Sequence, residues 1–112
     1  MDVSFKGIGD KLVSFISENA QAGHAVKVTG PATVGECGEG ERFDGAAVYV
    51  EDGIASVRLG GFVCLPYTGE VPAAGRTALA ADGKGGVMLS AGGDSYLVVN
   101  TDQAAGTVTF YM

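Results

Sequence analysis

The chain has 112 residues, 46% of them hydrophobic, with 19 glycines, and its 13 acidic against 7 basic side chains leave a net charge of −6. That size and apolar content suit one domain with a real core, and the acid excess, with cations scattered singly from Lys6 to Lys84, argues against nucleic acid and against an anionic membrane surface, both of which call for a basic patch. No stretch approaches the ~20 apolar residues of a membrane-spanning helix, and Met1 to Lys6 has neither the basic start nor the apolar run of a secretory signal, so a cytoplasmic site of synthesis is expected.

The acids are front-loaded: residues 1–56 hold nine acids and four cations, residues 57–112 four and three. The first segment, Asp10 to Ser17, reads two ways. As a helix it would start on an Asp10 cap with Leu12, Val13, Phe15 and Ile16 to one side. As a strand it follows Gly9 and is rich in β-branched and aromatic residues, and the strand is the favoured reading. From there the pattern is period-2 runs cut by glycine. Ala25 to Thr29 alternates and stops at Gly30-Pro31. Ala32 to Val34 is short and enters the acidic loop Gly35 to Glu41. Ala46 to Val50 and Ile54 to Leu59 flank Asp52-Gly53, a strong hairpin signal. Phe62 to Tyr67 follows Gly60-Gly61, and Pro66 to Gly75 is the longest irregular piece. Arg76 to Ala81, Val87 to Ser90, Ser95 to Thr101 and Thr107 to Met112 complete the series. Eight to ten short strands with glycine turns predict an all-β domain over residues 1–112, a small barrel or sandwich, with residues 1–9 as an extended N-terminal arm.

Chemistry is sparse. His24 is the one histidine and has no nucleophile or acid beside it in a recognisable motif, so it reads as a surface turn residue. One histidine and two separated cysteines do not supply a zinc site. Cys64, in an apolar strand, is expected to be buried, Cys37, in the glycine-rich loop, to be more exposed, and no disulfide between them is expected. The acidic loop Glu36, Glu39, Glu41 and Asp44 has carboxylates enough for calcium but not the EF-hand spacing, and a solvated loop is preferred. Gly83 to Gly86 and Gly7 to Gly9 lack the order of a phosphate loop and of a dinucleotide fingerprint. Lys84 in a hairpin turn invites comparison with biotin and lipoyl carrier domains, but its flanks, Asp82-Gly83 and Gly85, are neither Met-Lys-Met nor Asp-Lys-Ala. The expectation is a protein with no catalytic residues, no cofactor and no metal.

Three runs, Ala22 to Val28, Ala32 to Gly35 and Phe43 to Val48, together with Gly60-Gly61-Phe62-Val63-Cys64-Leu65-Pro66-Tyr67-Thr68-Gly69 and Leu79 to Val87, resemble the capsid cement or head-decoration proteins of tailed phages. The resemblance runs from about Gly9 to Met112, and its motifs are turns and strands. It implies a non-enzymatic phage or prophage structural protein: a small β-barrel that docks on the major capsid protein and stabilises the shell, commonly as a symmetric oligomer. The protein would sit on the virion surface after assembly and in the bacterial host cytoplasm before it. The competing reading is a host-encoded β module that binds a ligand such as a glycan. The absence of Trp weighs against it, because sugar sites favour exposed aromatic platforms.

Assembly is expected to be a symmetric homo-oligomer, a trimer before a dimer, through the chain ends. Val3, Phe5 and Ile8 form an apolar start, and Phe110, Tyr111 and Met112 end an apolar strand whose edge needs a partner.

Overall fold

Glycine turns cut residues 11–112, which the computed structural model describes, into ten strands, with no helix among them. The first five are β1 Lys11–Ser17, β2 Ala25–Gly30, β3 Thr33–Glu36, β4 Gly45–Glu51 and β5 Ile54–Gly60. They close into a barrel in the order β1-β3-β2-β4-β5. The other five are β6 Phe62–Pro66, β7 Gly75–Ala81, β8 Val87–Leu89, β9 Asp94–Asp102 and β10 Thr107–Tyr111. They form an open sheet in the order β6-β10-β9-β7-β8. The all-β barrel expected from the sequence is therefore present, accompanied by a second sheet.

The ambiguous first segment is a strand. It pairs antiparallel with β5 from Leu12–Arg58 to Ile16–Ile54, and parallel with β3 only at Ile16–Thr33 and Ser17–Val34. Asp52 and Gly53 both take positive φ, 52° and 76°, the geometry of the tight turn whose twist suits a β-hairpin. Gly61, at φ 92°, turns the chain from β5 in the barrel into β6 of the second sheet.

Two cores result. Inside the barrel lie Ala20, Val26, Val34, Ala47, Ala55 and Val57, with Phe15 and Val50 against them. The larger core sits between the second sheet and the barrel's edge: Val63, Leu65, Leu79, Val98, Val108 and Phe110 meet Ala25, Ala46 and Phe43. Phe43 stacks on Tyr96 with centroids 5.1 Å apart and meets Phe110 edge-on at 5.9 Å.

The acidic loop is exposed from Gly38 to Arg42 and at Asp44, as expected, and it is also docked: Gly40 N–H donates to the Ala81 carbonyl, Ala81 N–H to the Glu41 carbonyl, and Arg42 pairs with Asp94 at 2.8 Å. Two expectations are corrected. The cysteines exchange places. Cys37 is buried beneath that loop, whereas Cys64 points out of β6, because Val63 and Leu65 take the inward positions of that strand; both thiols are free. Second, β10 is not an edge strand. It runs between β6 and β9, paired along its length with both, with one bulge at Thr109–Phe110 on the β9 side.

Candidate functional site

The residues with chemical potential among those described are tied into the scaffold. His24 precedes β2 and is partly exposed: its Nδ1 lies 2.5 Å from Glu36 Oε1 at the end of β3, and Glu36 Oε2 takes the Gln21 N–H. The imidazole occupies the space a side chain on Gly85 would need, so the turn from β7 to β8 closes over it; Gly85 sits at φ 91°, and its carbonyl accepts from Ala25 N–H. Asp82 is buried and organises that same turn. Its carboxylate accepts from Lys84 N–H at 2.7 Å, Gly86 N–H at 3.0 Å and the Thr68 hydroxyl at 2.5 Å. Lys84 itself is exposed at the tip.

The acidic loop does not converge. Glu36 is spent on His24, Glu41 on Lys27 Nζ at 2.6 Å and on the Gly38 N–H, and Asp44 on the Val28 N–H. Glu41 and Lys27 hold each other charged: their hydrogen bond raises the lysine pKa and lowers the carboxyl's. Among the described residues no three His, Cys, Asp or Glu side chains are gathered as metal ligands. Burial pushes the Cys37 thiol up to about 11, with Glu41 adding to the effect, so it stays protonated and unreactive near neutral pH. A cleft of about 250 Å³ opens between β4–β5 and β6, with Ala46, Val48, Arg58 and Cys64 on its walls. It is smaller than the ~300–1,000 Å³ of most small-molecule sites, and Arg58 already donates to the Phe62 carbonyl across it.

What remains is surface. On the outer face of the barrel, cross-strand pairing aligns Leu12, Ser14 and Ile16 of β1 with Arg58, Ser56 and Ile54 of β5, and Ser56 with Tyr49 of β4. Leu12, Ile16, Ile54 and Tyr49 are each about half exposed. On the outer face of the second sheet, Phe62, Tyr111, Leu97 and Arg76 form one row across β6, β10, β9 and β7. The Phe62 and Tyr111 rings meet edge-on at 5.1 Å.

The interface residues expected from the sequence divide accordingly. Val3, Phe5 and Ile8 lie outside the described residues. Phe110 has no exposed surface and belongs to the protein's own core, a correction that follows from its inward parity on a central strand. Tyr111 is 42% exposed and Met112 packs partly on the core, so of the described three only Tyr111 presents an apolar face outward. The exposed residues of β1 and β5 were not singled out in the sequence; alternation shows that half of each strand faces out, but not that a narrow barrel leaves the larger half there.

No protein-family model matches the chain, and no curated protein matches it either.

Proposed function

We propose that this chain is a non-enzymatic structural protein of a tailed phage or prophage, one that docks on the major capsid protein, stabilises the shell and self-associates symmetrically. The observation that carries the reading is the placement of large apolar side chains. Leu12, Ile16, Ile54 and Tyr49 stand outside the barrel and Leu97 and Tyr111 outside the second sheet, while His24, Glu36, Cys37 and Asp82 are bound into the scaffold. Apolar surface in rows on rigid strands suits docking. The likeness of its strand and turn order to head-decoration proteins supplies the partner.

The test has two stages. A major capsid, scaffold or protease gene is expected beside this one. Shells assembled from that capsid protein are then mixed with the purified chain and pelleted. Saturable co-sedimentation and a higher shell melting temperature are expected. Failure to bind at about 50 µM, a concentration at which even a weak specific contact would register, would overturn the reading.

A further inference from the structure

Among the described residues β1 meets β3 over two residue pairs only, and the rest of that side of β1 has a defined hydrogen-bonding parity. Ser17 N–H donates to the Gly53 carbonyl and Ile16 N–H to the Ala32 carbonyl. With the β1–β5 register, this places the backbone groups of Val13 and Phe15 toward β5 and those of Leu12, Ser14 and Ile16 away from it. Ile16 is taken up by the β2–β3 turn. Leu12 and Ser14 have no strand beside them among the described residues, because β3 joins β1 only from Ile16 onward.

The two edges of the second sheet are blunted. The register of β6 on β10, with Met112 N–H on the Gly61 carbonyl, turns Phe62, Cys64 and Pro66 toward the free side of β6. There Pro66 has no N–H and the Phe62 carbonyl accepts from Arg58. At the opposite edge, β8 is three residues long and Val87 bridges to Tyr67.

We infer that Lys11 to Phe15 of β1 is a self-pairing edge, on which the same segment of a second copy adds antiparallel about a two-fold axis through Val13. The parity selects the register. The outward groups of Leu12 meet those of Ser14 from the partner copy and the reverse, giving four backbone hydrogen bonds. Val13 then faces Val13 of the partner copy as a close non-hydrogen-bonded pair. The edge is self-complementary in length as well, since beyond Phe15 each copy's own β2–β3 turn occupies the side of the strand. Val13, on the barrel-lumen side of β1 yet 43% exposed, would be covered, and Leu12, 55% exposed, would lie beside Ser14 of the second copy. The sequence favours a trimer; this edge instead makes a two-fold. A five-residue strand pair buries less than the ~1,200–2,000 Å² of a stable interface, so the contact is concentration-dependent. The inference deepens the self-association part of the proposed function and is independent of its shell part.

The experiment uses the isolated full chain. Sedimentation from about 1 to 300 µM is expected to show a monomer–dimer equilibrium within that range. Ser14→Pro removes an N–H that points away from β5, so it is expected to abolish the dimer while leaving the monomer's melting temperature nearly unchanged. Val13→Cys, in a Cys64→Ser background, is expected to cross-link as a dimer on mild oxidation, because the paired Cα atoms would lie within disulfide reach; Leu12→Cys in the same background is not. Should the proline variant fail to fold, the cysteine pair still decides. A monomer at every concentration, or an oligomer that survives Ser14→Pro, or one whose Val13→Cys form does not cross-link, would overturn the inference. Because no capsid protein is present, none of these outcomes bears on shell binding.

Discussion

Inside the barrel of β1–β5 the fully buried side chains are alanines and valines, Ala47, Ala55, Val26, Val34 and Val57, whereas β6–β10 cover a core holding Leu65, Leu79 and the Phe43–Tyr96–Phe110 cluster. The strand number is the same, and the difference is closure. A closed sheet of few strands has a narrow interior that fills with small side chains. Leu12, Ile16, Ile54 and Tyr49 stand on the outside, each about half exposed. The open sheet has a whole face for aromatic rings, with Phe62, Tyr111 and Leu97 on its outer face. One half of the molecule thus buries its large apolar side chains, and the other carries several of them on its outer face.

Truncation sharpens this contrast most. Phe110→Ala removes a fully buried ring from the larger core and is expected to cost roughly 3–5 kcal/mol. Val57→Ala, equally buried inside the barrel, removes two methyl groups and is expected to cost roughly 2 kcal/mol. Urea denaturation of the two variants measures the difference, and equal losses would show that the halves contribute alike.

Next come the contacts that join the halves. Gly85→Ala places a methyl group where the His24 ring sits, at a positive φ that alanine resists, and about 2–3 kcal/mol should be lost. If the melting temperature does not fall, the turn is not held against the barrel by this packing. Asp82→Ala strips the acceptor from Lys84 N–H, Gly86 N–H and the Thr68 hydroxyl. A loss of about 2 kcal/mol is expected, with faster amide exchange at Gly86 as the local readout.

The smallest effect is in pH. Cys37 titrates at an ordinary 9.0 when unfolded and at about 11 when folded, chiefly because burial disfavours the thiolate. A folded pKa above the unfolded one means that the native state keeps its proton longer. The associated stability is complete below pH 9 and is lost as pH rises toward 11. Tyr96, pushed by burial from 10.0 to about 12, extends the decline to higher pH. Melting curves between pH 8 and 11 should fall less steeply for Cys37→Ala than for the parent; parallel curves would remove Cys37 as a cause.

The candidate surface was only partly legible in the residue order. Tyr111 was singled out and is exposed, while Phe110 beside it is not, because strand parity separates neighbours completely and the parity of β10 depends on lying between β6 and β9. The buried Cys37 and the docked acidic loop were missed although Phe43 offered a signal: an aromatic at the end of a glycine-rich run can anchor that run to a core.

The sequence by itself determined the all-β class, the positions of the turns and the Asp52-Gly53 hairpin, since glycine, proline and alternation act within a few residues. Only the tertiary structure decided which strands close the barrel and which cysteine is inside. Both outcomes depend on pairings such as β1 with β5 and β10 with β6. Partners about forty residues apart in the chain leave no local pattern to mark them, and their register alone sets which side of each strand meets the core.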